Sequence, residues 1–202
     1  MALSNFTELK SSIASWIHRN DLTAVIPDFI KLAESRMSLE LDVDQLQKTA
    51  TITTVSGTDT APLPSDFRSL IDATITMGSI LYVLDKMPAQ LLRTRWGSYT
   101  SNIPQSYAII NNKLKLGPIP NGNYDVVLEY NSTIPSLSDS NPTNDLLTAY
   151  PDMYLHCCLI YAATYIRDVE LVSGMESLYN ADKNRANTAN WNQDASMATK
   201  QG

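Results

Sequence analysis

The stretch from Tyr150 to Ile166, YPDMYLHCCLIYAATYI, decides how this chain folds. It holds no glycine, and its only proline stands at the start. Tyr154, Cys158, Tyr161 and Tyr165 recur at spacings of four, three and four along one helical face, while Leu155, Leu159, Ala162 and Ile166 fill the neighbouring face. A helix apolar around most of its circumference belongs inside a protein, so the remaining segments are expected to pack around it. Pro151 suits a first turn, where its missing N–H costs nothing, and Asp152 suits the positive helix start. Cys157 and Cys158 are adjacent; on a helix their side chains diverge by about 100°, which places them poorly for a mutual bridge or a shared metal. They read as small buried apolar residues. Of the chain's two histidines, His18 has no carboxylate or cysteine cluster beside it in sequence, and His156 adjoins only Cys157 and Cys158, toward which neighbouring helix positions diverge. No metal and no cofactor is expected.

A second helix follows, from about Val169 to Asn192. Val172, Met175, Tyr179, Ala186 and Ala189 give it a narrow stripe, and Gly174 costs about 1 kcal/mol relative to alanine. Such a stripe permits close helix approach, either within the subunit or to another subunit, and the reading favours an intersubunit or partner-facing helix. Trp191 closes it. The segment 193–202, with Met197 as its one large apolar residue, cannot fold alone and is expected to be a flexible tail that either orders on a partner or frays. Val172, Met175, Tyr179, Trp191 and Met197 are therefore candidate assembly residues.

Upstream, Leu3 to His18 reads as a helix with Ser4 as N-cap and Phe6, Leu9, Ile13, Trp16 and Ile17 as its stripe. His18 and Arg19 suit its negative end. Another helix runs from Leu22 or Ile26 to Leu41, with Pro27 tolerated in the first turn. From Lys48 the pattern alternates. Thr49 to Val55 is β-branched and runs into the turn residues Ser56 to Asp59; Ala61 to Pro64 is extended but too proline-rich for a central strand. Ser69–Met77 and Ile80–Leu84 form a hairpin about Gly78 and Ser79. Met87–Trp96 is a short helix stopped by Gly97, and Ser98–Ser106 is an exposed loop. The clearest hairpin is Tyr107–Leu116, turning at Asn111 and Asn112, which tolerate positive φ. Its exposed tip makes Asn111 and Asn112 further candidate contact residues. A last strand, Tyr124–Tyr130, directs Val126 and Leu128 to one side and Asp125 and Glu129 to the other. A polar connector, Ile134 to Asn144, returns to the anchor helix. The fold class is α+β: N- and C-terminal helices form a helical bundle with an inserted small antiparallel β-sheet of hairpins. One domain is expected over 1–192, with helices in 1–46, the β-rich insert in 47–135, loop and helices in 136–192, then the tail.

Hydrophobic residues make up 44% and charged residues 18%, which excludes a chain disordered by composition. The longest apolar run is too short and too polar to span a bilayer, so no membrane is expected. Met1 to Leu9 lacks a basic stretch followed by an apolar core, and no secretory signal is read there. A net charge of −6 and a pI near 4.8 argue against gripping nucleic-acid phosphates. They do not exclude a surface past which DNA slides without sticking. No phosphate loop, nucleophile elbow or metalloprotease motif is present.

The order Leu63-Pro64-Ser65-Asp66-Phe67-Arg68, Pro104-Gln105-Ser106-Tyr107-Ala108-Ile109, Leu114-Lys115-Leu116-Gly117-Pro118-Ile119-Pro120, Val127-Leu128-Glu129-Tyr130, Ile134-Pro135-Ser136-Leu137-Ser138-Asp139, Pro142-Thr143-Asn144 and Tyr150-Pro151-Asp152-Met153-Tyr154-Leu155, with Leu32-Ala33-Glu34-Ser35-Arg36 before it, resembles the head-to-tail adaptor (connector) proteins of tailed bacteriophages, especially short-tailed ones. The resemblance covers most of the chain and stops before Gln193. It implies a structural virion protein at the head–tail junction, assembled in the host cytoplasm. Such adaptors form a homo-oligomeric ring, usually of about twelve copies, beneath the portal protein. The ring extends the DNA channel, lets genomic DNA pass without sequence-specific binding, and gives a platform to a tail nozzle or tail tube protein. The resemblance brings no catalytic residue and no cofactor. Other readings are a different tail or head-completion protein, a host-encoded binding module, and a cell-wall hydrolase using loop carboxylates such as Asp139 and Asp145.

Overall fold

The computed structural model describes residues 3–97 and 101–198, with side chains of the last helix described as far as residue 188. The chain divides into two compact units, residues 1–46 with 133–202, and residues 47–132. The first is helical and the second is mainly strands, so the α+β class holds.

The helical unit contains α1 (Phe6–Trp16), α2 (Ile26–Glu40), α4 (Asp145–Ala149), α5 (Pro151–Ile166) and α6 (Val169–Ala198); α3 (Ala89–Trp96) lies in the strand unit. Residues 145–198 therefore form three helices where two were expected, because Asn144 caps a short extra one by accepting from the Leu147 amide at 2.7 Å, and α6 runs on past Asn192 to Ala198, into the segment expected to be a flexible tail. α5 is the centre of the unit and packs against α1, α2, α4 and α6. Met153, Tyr154, Cys157, Cys158, Leu159, Ala162 and Ala163 along it are fully buried, and burial pushes the Cys157 thiol up to about 12. Tyr165, assigned to the apolar face, is exposed near the end of α5 with its ring 5.3 Å from that of Phe29.

α1 begins later than its sequence suggests. Asn5, not Ser4, is the N-cap and accepts from the Glu8 amide at 2.9 Å, while Glu8 turns back to accept from the Ser4 amide and hydroxyl at 2.8 and 2.7 Å. Both ends of a helix start are thereby satisfied by one short segment. At its other end the backbone turns through His18 at φ 52°, and the His18 and Arg19 amides donate to the Ser15 and Ala14 carbonyls.

The connector is polar in composition but not loose. Ile134 and Leu137 are buried in the helical core. The Ile134 amide donates to Ser38 Oγ at 3.1 Å and the Leu137 amide to Glu34 Oε1 at 2.8 Å, so two side chains of α2 satisfy backbone groups of a buried loop. The Tyr154 hydroxyl donates to the same Glu34 oxygen at 2.7 Å, and Asn144 Nδ2 donates to Tyr154 and to the Pro135 carbonyl. The Phe6 amide reaches the Pro142 carbonyl at 2.7 Å. α1, α2 and α5 are thus all tied to the connector.

Among the described residues, the strand unit has two four-stranded sheets and one short pair. The first, in order β1 (Gln47–Thr53), β10 (Asp125–Ser132), β3 (Phe67–Met77), β4 (Ile80–Val83), is antiparallel throughout. The second runs β2 (Thr60–Pro62), β8 (Lys113–Gly117), β7 (Ser106–Ile110), β5 (Asp85–Lys86), with β5 parallel to β7. Pro62 lies on the edge strand β2, as its missing N–H requires. β6 (Ser101–Asn102) pairs in parallel with β9 (Ile119–Pro120), so part of the expected exposed loop is paired; residues 98–100 of that loop lie outside the described residues. Asn111 and Asn112 turn the β7–β8 hairpin at φ 50° and 55°, as their residue type allows. Ala73, Ile75, Tyr107, Leu114, Leu116, Val126 and Leu128 form one core drawn from both large sheets.

Burial raises the Glu34 carboxyl above its ordinary value of 4.5, against the hydrogen bonds from Leu137 and Tyr154 that lower it. The folded chain therefore binds that proton more tightly than the unfolded one, and the site's contribution to stability falls as pH rises from 4.5 through the raised value. Glu34→Gln is expected to gain stability relative to the parent across that window, read by urea unfolding at a series of pH values. Glu34→Ala, which strands two buried donors, is expected to cost about 3 kcal/mol in the same measurement.

Candidate functional site

The residues marked as contact candidates fall into three groups. Asn111 and Asn112 are exposed at the tip of the β7–β8 hairpin. Met175 and Tyr179 lie in the helical unit's own core, 7% and 0% exposed, and Val172 is half-buried. The narrow stripe of α6 is consumed by packing on α5, which takes Met175 and Tyr179 out of the surface open to another chain. The side chains of Trp191 and Met197 lie outside the described residues.

Around that stripe, charged groups hold α6 to its neighbours. Arg36 on α2 grips Glu176 with both terminal nitrogens, at 3.0 and 2.6 Å, donates from Nε to Glu40 at 2.9 Å, and lies 4.7 Å over the Tyr179 ring. Glu40 also accepts from the Tyr179 hydroxyl at 3.1 Å and from Lys183 at 2.9 Å. The hydrogen bond to Glu176 is the main cause that raises Arg36, and its counterpart from Arg36 holds Glu176 below the usual carboxylate range. Burial opposes ionisation of Glu40, but Lys183, Arg36 and Tyr179 together keep it lowered. A fork-to-fork arginine pair fixes direction as well as distance, so α6 is set in register on α2. On the other side of α6, His156 Nδ1 lies 2.8 Å from Asp182, and Arg185 bridges Asp182 and Asp152. His156 thus joins α5 to α6.

The loop carboxylates have structural places. Asp139, 86% exposed, pairs with Lys10 at 3.2 Å, and Asp145 occupies the first turn of α4. Among the described residues, no group of three or more His, Cys, Asp or Glu is placed to hold a metal ion. A cavity of about 460 Å³ in the strand unit is lined by Asp59, Leu92, Arg93, Trp96, Lys115 and Gly117, and two of these lining residues, Lys115 and Asp59, pair at 2.7 Å.

The Leu63-to-Arg68 stretch finds its physical reason in the strand unit. Asp66 accepts from the Tyr130 hydroxyl at 2.9 Å and from Lys48 at 2.7 Å, and Phe67 stacks on Tyr130 with ring centroids 5.8 Å apart. Burial, then the bond to Asp66, pushes Tyr130 up to about 12, while Lys48 holds Asp66 low.

The most unusual surface is β4. Ile80, Leu81, Tyr82 and Val83 are four consecutive apolar residues, 58%, 61%, 38% and 59% exposed, on the edge of the first sheet. Both faces of this strand and its outer backbone edge meet solvent, a combination that soluble proteins normally blunt with charge or proline. Sequence reasoning placed the strand and missed its exposure, since an unbroken apolar run ordinarily signals burial on both sides.

An α+β chain whose helical unit is locked within itself while its strand unit leaves an apolar sheet edge in solvent has the construction of an assembly protein. A family model described as SU10 adaptor protein matches residues 4–201, and the chain belongs to that family of phage structural adaptor proteins. The family is one of structural proteins, not enzymes, and membership implies a virion component associated with phage portal and tail components. No curated protein matches the chain. Among the described residues, no helix is long and apolar enough to cross a membrane.

A Cβ at Gly117 would sit 2.5 Å from Trp96 Cδ1 and 3.0 Å from Leu92 Cδ1, so the glycine permits α3 to lie against β8. Gly117→Ala is expected to destabilise the protein by about 1–3 kcal/mol through forced displacement of the indole, measured by denaturant unfolding followed through tryptophan fluorescence.

Proposed function

We propose that this protein is the head-to-tail adaptor of its phage: a ring of copies, about twelve, seated beneath the portal, extending the DNA channel and presenting a platform to the tail. The observation that carries this reading is the match to the adaptor family over residues 4–201. The net charge of −6 supports it, because a conduit must not hold a genome through many phosphate contacts. The ring is heterologous, each copy using one surface on one neighbour and a different surface on the other. The segment from Trp191 onward docks on the portal or on an adjacent copy.

Electron microscopy and mass measurement of the purified protein with and without portal rings test the proposal. A ring bound to one end of the portal is expected, and a complex without rotational symmetry overturns the adaptor reading. Removal of Gln193 to Gly202, which takes away the end of α6 as far as Ala198, is expected to weaken attachment by about tenfold or more; unchanged attachment removes the docking role of this segment.

A further inference from the structure

The first sheet of the strand unit has two open edges, β1 and β4, and the pairing register relates them. Tyr82 on β4 pairs with Ile75 on β3, Ile75 with Val126 on β10, and Val126 with Ile52 on β1. These four residues form one apolar row across the sheet, beginning at one open edge and ending at the other. The next row, Val83, Thr74, Val127 and Thr51, is β-branched from edge to edge. Ile75 and Val126 in the middle of the apolar row are fully buried, while Ile52 at one end is partly buried and Tyr82 at the other is exposed. The apolar row therefore runs out to both edges of the sheet and is only partly covered there.

We infer that β4 of one copy pairs with β1 of the next, joining the strand units of the ring into a continuous antiparallel sheet. The inference rests on the ring proposed above and names the surfaces that build it. Four antiparallel strands place β1 and β4 in opposite directions, so copies related by rotation bring β4 against the neighbour's β1 in antiparallel sense. At level register Tyr82 lies beside the neighbour's Ile52, and Val83 beside its Thr51. Aromatic–β-branched and β-branched pairs of this kind stabilise cross-strand neighbours. The outer edge of β1 suits this role: Gln47 to Thr53 carries no proline, is rich in threonine, and stays exposed or half-exposed along its length. Two β4 strands pairing with each other about a two-fold axis would close at two copies and leave β1 open. The β4-to-β1 contact is heterologous and leaves the first sheet no open edge in a closed ring.

The test uses the full chain assembled on portal rings. In Ile52→Cys/Tyr82→Cys, oxidation is expected to give a ladder of linked copies on a denaturing gel, and each single variant is expected to give none; the native Cys157 and Cys158 are buried. Hydrogen exchange read by mass spectrometry covers any other register: residues 47–53 and 80–83 are both expected to slow by about tenfold or more on ring formation. Paired Leu81→Lys/Val83→Lys is expected to lower ring occupancy on the portal while leaving the thermal melt of the free protein unchanged. A ring in which neither segment gains protection overturns the edge pairing and leaves the adaptor reading intact. Protection of 80–83 alone, or a dimer from Tyr82→Cys alone, also overturns it, by assigning β4 to another protein or to a two-fold contact. Absence of any ring removes both.

Discussion

The helical unit depends on burying α5. Its sequence offers no polar face wide enough to meet water, so every side must be covered, and each of α1, α2, α4 and α6 covers a part. Burying side chains such as Leu155, Leu159 and Ile160 stabilises by about 1.5–3 kcal/mol each, which makes this helix the largest single apolar contribution in the unit. The others owe their positions to it.

Covering α5 creates a second requirement. The connector that returns to it must pass through the interior, and buried backbone groups need partners. Glu34, Ser38 and Asn144 meet that need, and the Tyr154 hydroxyl bonds the side chains of Glu34 and Asn144. At the surface of the same unit, Arg36 and Glu40 join α2 to α6 through Glu176, Tyr179 and Lys183. α2 thus serves as a double-sided fastening: one side secures the connector, the other fixes α6. The Leu32-to-Arg36 stretch carries residues for both, Glu34 and Arg36, two positions apart and so on different sides of the helix.

The strand unit follows another logic. Its two large sheets share one core, and Asp66 and Gly117 settle local packing around Tyr130 and Trp96. Its first sheet nevertheless ends in an apolar strand with solvent on both faces. A self-contained helical unit and a strand unit with an unfinished edge suit a protein whose final structure includes other chains, consistent with an adaptor of the virion.

Much of this was legible in the chain itself. The period of residues 150–166 determined a buried helix, Asn111-Asn112 determined a hairpin turn, and Pro62 kept β2 at an edge, because each is a local matter of spacing, backbone freedom or a missing N–H. The ordered motifs from Leu63 to Leu155 also carried the resemblance to phage adaptors. Tertiary structure alone decided which apolar residues are spent inside the subunit. Met175 and Tyr179 read as a stripe open to a partner, yet α5 and Arg36 cover them; Ile80 to Val83 read as an ordinary strand, yet among the described residues they stay exposed. The Glu34 latch was equally hidden, since its partners lie about 100 residues or more away along the chain. Periodicity tells which side of an element is apolar, but what lies against that side depends on contacts between distant segments, and only the folded chain brings those together.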